Sequence, residues 1–165
     1  TAESASSGEA SHGSSEDVYV SMSGLIDGLT IGAGHASLGS SNTSTTSEDS
    51  QESVANIVYS SGPVSVGYRI FEDNNGTAGT ASRSGEHMAI AFNVNDNFKL
   101  SYGVQDTEKE AISATAAVTE EVTGISAAYT SGAASVRINH SKADNDNGVQ
   151  GTDDETTEIS LVLSF

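Results

Sequence analysis

The side chains able to do chemistry are few, and they do not converge. Four histidines, His12, His35, His87 and His140, are the candidates for proton transfer near neutral pH. A hydrolase would need one of them beside a serine or carboxylate at a fixed position. His12 lies in a Ser/Gly-rich stretch, and the alternation described below sends His35 and His140 to one side of their segments. It sends His87, beside Glu86, to the other. No shared site emerges, and the chain reads as a protein that is not an enzyme. Cysteine is absent, which excludes disulfides and thiolate metal sites. The acidic run Asp144-Asn145-Asp146-Asn147-Gly148 invites a calcium reading, but placing Gly148 on the glycine of an EF-hand loop puts Ala143 at the first ligand position. Weak Ca2+ binding by Asp144, Asp146, Asp153, Asp154 and Glu155 is the one cofactor expectation that survives. Three cations, Arg69, Lys99 and Arg137, share a different property: each occupies a hydrophilic position in an alternating run.

Those runs are the elements that must carry any site. From Asp17 to Phe165 the chain falls into short period-two segments, the mark of strands with two unlike faces. Val18, Val20 and Met22 alternate with Tyr19, Ser21 and Ser23. The same holds for Leu29 to Ala33, Ala55 to Tyr59, Val64 to Ile70, Met88 to Val94, Phe98 to Val104, Ile125 to Tyr129, Ala134 to Ile138 and Ile159 to Phe165. These are nine expected strands. Tyr59, Ser61-Gly62 and Ser65-Val66 recur as Tyr129, Ser131-Gly132 and Ser135-Val136, a weak repeat of one hairpin. Thr107 to Glu121 also permits a short turn of helix, through Glu108, Lys109, Glu110 and several alanines. Residues 1–16 read as an acidic Ser/Gly loop or tail preceding a single unit over 17–165.

Connections alternate between tight turns (Asp27-Gly28, Ser60 to Pro63, Asn95 to Asn97, Thr130 to Gly132) and stretches of roughly thirteen residues. Because each strand reverses direction, the long stretches gather at one rim. Only Asp27 and Asp96 of the 23 acids fall in the tight turns. The whole chain has 165 residues and a formal charge of −17, which repels nucleic acid. At 35% hydrophobic and 5% aromatic it is too poor in large apolar groups for an ordinary core. One face of the strands carries Val, Ile, Leu, Met, Tyr and Phe, and the other Ser, Gly, Ala, Thr, Asn, Lys and Arg. Turned toward lipid, the apolar face makes an antiparallel up-and-down transmembrane β-barrel. Turned inward, it makes a soluble or surface-attached β-sandwich, an adhesin or binding module acting through acidic loops. Tyr59, Phe92, Phe98 and Tyr129 near the short-turn rim, with Tyr68 and Tyr102 higher up, form two aromatic levels, which favours the barrel.

Ile159-Ser160-Leu161-Val162-Leu163-Ser164-Phe165 resembles the terminal strand of bacterial outer-membrane proteins. Ala127-Ala128-Tyr129-Thr130-Ser131-Gly132 and Phe98-Lys99-Leu100-Ser101-Tyr102-Gly103 resemble hairpins of Gram-negative general-diffusion porins, of the alphaproteobacterial type. The resemblance implies a water-filled channel in the outer membrane for passive diffusion of small hydrophilic solutes and ions. It implies a homotrimer, Phe165 as the signal read by the barrel-assembly machinery, and contact with outer-membrane lipid and lipopolysaccharide. It also implies Arg69, Lys99 and Arg137 as pore-lining residues. Nine strands, an odd number whose first descends from the acidic rim, imply the C-terminal portion of a barrel of sixteen, with the constriction loop in the remainder. The excess of acid leads to an expected mild cation preference.

Overall fold

The computed structural model describes residues 15–39, 49–76, 80–112 and 116–164. The alternating runs become nine strands: β1 Ser15–Ser23, β2 Leu29–Leu38, β3 Ser50–Ser61, β4 Val64–Asn74, β5 Arg83–Asn93, β6 Phe98–Lys109, β7 Val118–Ser131, β8 Ala134–Asp144 and β9 Asp153–Leu163. They form one antiparallel sheet in sequence order, with β1 and β9 at its edges. β1 begins two residues before the expected Asp17. Residues 1–14 of the expected tail, and Phe165, the expected assembly signal, lie outside the described residues.

Local chemistry explains the tight turns. Gly62 and Gly132, at φ 54° and 56°, occupy the left-handed region that glycine enters without a Cβ penalty. Beside them Ser60 and Ser65 pair their hydroxyls at 2.8 Å, and Thr130 and Ser135 do so at 3.0 Å, so the hairpin repeat is structural. Between β5 and β6, Asn95 Oδ1 accepts from the amides of Asn97 and Phe98, both at 2.9 Å, an Asx turn. The opposite rim differs from expectation. Its connections are shorter than roughly thirteen residues, because the polar stretches at their margins continue the ladder. No helix forms in the described part of Thr107 to Glu121: β6 runs through Lys109 and β7 starts at Val118. Glu108 and Lys109 are helix formers, but here the ladder with β5 and β7 satisfies their backbone and overrides that preference. The β8–β9 connection instead holds a single 3-10 turn, Asp146–Gly148.

No apolar side chain is buried among the described residues, and Ile159 and Leu161 are 70% and 63% exposed. The described residues form one sheet with no second layer, which is not a sandwich, so that alternative fails. The register instead shows an uninterrupted apolar face. Met22, Ile31, Ile57, Tyr68, Met88 and Val104 are successive cross-strand neighbours, as are Val64, Phe92, Leu100, Ala127, Ile138 and Ile159. The upper edge of this band, toward the long connections, is Val18 on β1, Ala33, Ala55, Ile70, Met88, Val104, Ile125 and Ile138 on the strands between, and Ile159 on β9. Followed through the register, that edge slips by about one residue per strand. At about 3.3 Å per residue and 4.8 Å per strand, the slip corresponds to strands inclined about 35° to the band's normal. The lower edge slips in parallel, from Met22 on β1 to Leu163 on β9. A barrel wall crossing a flat apolar slab has that inclination, about 35–45°.

Gly28, at φ 76°, tests how tightly the short-turn rim is built. A Cβ there would run into the Ser60 carbonyl oxygen, while the Gly28 carbonyl accepts from the Ser60 amide at 2.9 Å. Gly28→Ala should destabilise the folded protein by about 1–3 kcal/mol. Gly24→Ala, equally left-handed but in open space, should cost about 1 kcal/mol, both read as unfolding midpoints in urea.

Candidate functional site

The candidate site is the other face of the same sheet. Along β4 to β7 its middle is made of small groups: Gly67, Ala89, Gly103 and Gly124 are direct cross-strand neighbours, and below them lie Ser65, Ala91, Ser101 and Ser126. Such a surface is hydrophilic without projecting far. Two aromatic rings are the exceptions, and both lie flat over glycine. A Cβ on Gly32 or Gly34 would collide with the Tyr19 ring, whose hydroxyl donates to Asn56 Oδ1 at 3.0 Å. A Cβ on Gly85 would stand 2.8 Å from Phe71 Cζ. The Arg69 guanidinium carbon lies 5.6 Å from the centre of the Phe71 ring, a cation–π contact that fixes the cation's direction.

Arg69, Lys99 and Arg137 all have the polar-face parity expected for them. By register alone Arg69 is distant, since its row crosses β6 at Gln105, six residues from Lys99. Inclination changes that relation. Arg69 and Arg137 are each the residue just below the upper apolar edge of their strands, at Ile70 and Ile138, so they share one height. Lys99 sits five residues below its own edge at Val104. Asp17 and Glu158, also on the polar face, are each one residue above theirs, at Val18 and Ile159. Two cations and two carboxylates therefore form one level.

Two further polar-face cations escaped the sequence reading. Arg83 and Lys109 are direct cross-strand neighbours five residues above the edge, flanked by Asp73 on β4. Both lie beyond the apolar alternation, although Arg83-Ser84-Gly85-Glu86-His87 already carries the β5 parity. Five of the six basic residues thus lie on the polar face. It also carries Asp17, Glu52, Asp73, Glu120, Asp154 and Glu158, which brings its strand charge close to balance. The sixth base, Lys142, is on the apolar-side parity above the band, 2.5 Å from Asp144.

The acid excess lies above the band on that outer side. Glu86, Asp106, Glu121, Asp144 and Asp153 are successive neighbours across five strands, and Tyr68 donates its hydroxyl to Glu86 at the band's margin. The five carboxylates considered for Ca2+ do not converge. Asp144, Asp153 and Glu155 share the outer parity, Asp154 has the opposite one, and Asp146 sits in the turn. Among the described residues no group of three acids or histidines is placed to hold an ion. His35 and His140 are outward as expected, bonded through Nδ1 to Ser53 at 3.0 Å and Thr157 at 2.9 Å. His87 lies on the polar face with its Nε2 close to Gly103.

An up-and-down sheet with an inclined apolar band, no core and a small-residue hydrophilic reverse face is a portion of a transmembrane β-barrel wall. The family described as Gram-negative porin matches residues 2–164, and the chain belongs to that family. No curated protein matches the chain. This is an outer-membrane family of channels rather than of enzymes. No helix among the described residues is long and apolar enough to cross a membrane, and the crossing elements are the strands.

Membership assigns the apolar face to lipid. Ile90→Arg, near the middle of the band, should therefore cost about 2–4 kcal/mol in refolding into lipid vesicles, with Ser101→Arg on the reverse face costing under about 1 kcal/mol. Equal costs would contradict the assignment of faces.

Proposed function

We propose that the chain forms the wall of a water-filled channel through which small hydrophilic solutes and ions diffuse passively. The observation that carries the reading is the placement of five of six basic side chains on the hydrophilic face, behind an unbroken apolar band. Cations on a barrel's outer surface would be costly in hydrocarbon, whereas on the lumen side they meet water and solute. Arg69 and Arg137, level with Asp17 and Glu158, are the proposed pore-lining charges, and Lys99 lies deeper in the same lumen. Opposed charges around one level favour solutes that are polar, because such solutes regain in the field what they lose in hydration.

The strand charges of the lumen face nearly balance, so the proposed ion preference is weak rather than set by the overall −17. Most of the excess lies outside the band, where like carboxylates stand directly opposite one another and destabilise the sheet unless screened. Divalent cations shared with the phosphates of lipopolysaccharide supply that screening in our reading, without a coordination cage. A homotrimer, and recognition of Phe165 by the barrel-assembly machinery, complete the proposal by family resemblance.

Bilayer recordings of the purified protein test it. Arg69→Glu combined with Arg137→Glu should move the reversal potential in a salt gradient toward cations by several-fold in permeability ratio. The move should shrink in high salt, as the Debye length falls from roughly 8 Å to 3 Å. An unchanged potential would remove both residues from the lumen, and no conductance at all would remove the channel.

A further inference from the structure

We propose that the β8–β9 turn is a fixed strap lying across the lumen side of β7 and β6, which narrows the mouth and poses Lys109 and Glu120 as its filter. The inference rests on the channel reading, but the position of the turn can be tested apart from it. The turn is braced within itself. Asn145 and Asn147 adopt left-handed φ values of 56° and 57°, and Asn145 Oδ1 accepts from the Gly151 amide at 2.9 Å. The Asp146 amide donates to the Thr152 carbonyl at 2.7 Å, and Thr152 Oγ1 donates back to the carbonyls of Val149 at 2.7 Å and Asp146 at 3.0 Å. These bonds give an eight-residue connection a single shape at the cost of two unfavourable asparagine conformations.

The braced turn is then tied sideways rather than continuing along its hairpin. Asn145 Nδ2 donates to the Thr119 carbonyl at 2.9 Å, and the Asn147 amide donates to Glu120 Oε1 at 3.3 Å, both on β7. It reaches β6 as well. A Cβ on Gly148 would stand 2.8 Å from Lys109 Cδ and 3.1 Å from Lys109 Cβ, so the glycine backbone rests on the stem of that lysine. β6 is two strands from β8, about 10 Å away, a distance an upright hairpin tip does not cross. Lys109 and Glu120 both have lumen parity, so the turn covers the lumen face rather than the lipid face. Thr107, the cross-strand neighbour of Glu120, is the one buried residue among those described, in keeping with a covered mouth. Each of Lys109 and Glu120 stands five residues above the apolar edge of its strand, at Val104 and Ile125. The narrowing therefore falls above the membrane, ahead of the Arg69 and Arg137 level. Its effect is on size first: larger hydrophilic solutes are slowed, and small ions pass between the lysine and the acids.

The chain has no cysteine, so introduced pairs report cleanly. In the whole protein, Lys109→Cys with Gly148→Cys should close a disulfide under mild oxidant, since their Cβ positions approach the range of about 3.5–4.5 Å that the bond needs. Lys109→Cys with Gly151→Cys should keep both thiols free, because nothing lies within 4 Å of a Gly151 Cβ. Should cysteine at the left-handed Gly148 prevent folding, Lys109→Cys alone should react several-fold faster with a bulky maleimide once Asn145→Ala removes the anchor and brace. In liposome swelling, Asn145→Ala should admit large sugars several-fold faster while leaving small ones unchanged. Free thiols in the first pair, or equal maleimide rates, overturn the position of the strap. A closed disulfide with unaltered swelling overturns its filtering role and leaves the channel standing, and absence of swelling in the parent overturns both.

Discussion

Hydrocarbon offers no hydrogen-bond partner, and that single constraint orders the rest of this structure. Every backbone amide and carbonyl that enters the membrane must be satisfied by protein. The ladder does this for β2 to β8, each bonded on both sides to its neighbours in sequence, with tight turns at one rim, and β1 and β9 are bonded on one side. Once the backbone is satisfied, the side chains divide by parity alone. A chain that is 35% hydrophobic is sufficient because only one face, over about seven residues of each strand, has to be apolar. The absence of a core is then an expected consequence. Lipid supplies the apolar partner that a second layer supplies in a soluble sheet.

Inclination is what turns this sheet into a site. In register, Arg69 and Arg137 belong to rows far apart, and the sheet looks like a scatter of cations. Measured from the edge of the apolar band, they share a level with Asp17 and Glu158. The same geometry sorts the acids. Those on the polar face are offset by five bases, whereas those on the apolar-side parity stack in a row of like charge above the band. Net charge by itself therefore says little about the passage. A formal −17 coexists with a polar face close to neutral, because charge is partitioned by parity.

Most of the architecture was legible in the chain, and the reasons are physical. Strand parity, the hairpin repeat at Tyr59 and Tyr129, and the polar-face parity of Arg69, Lys99 and Arg137 follow from a period of two, which tolerates no slip while one face is apolar. Strand ends near the long connections were not legible. There the apolar signal fades into Ser, Glu and Asp above the band, so Arg83 and Lys109 read as loop although the ladder continues through them. Pairing partners, rather than side-chain hydropathy, hold those ends, and one sequence does not display its partners. The strap was likewise hidden. An Asp/Asn/Gly run signals a turn, and nothing in it tells that the turn leans two strands sideways. The acids proposed for calcium were close in sequence, but alternation placed them on both faces.

Because the chain lacks tryptophan, a single introduced indole reports its surroundings directly. Tryptophan at Leu100 or Ile138 should be quenched by bromine on lipid acyl chains and protected from aqueous acrylamide. Tryptophan at Ser101 or Ala91, one residue away in register but on the other face, should show the reverse. Acrylamide reaching Leu100 and Ile138 while brominated lipid leaves them bright would contradict the assignment of the apolar face to the membrane, and with it the channel.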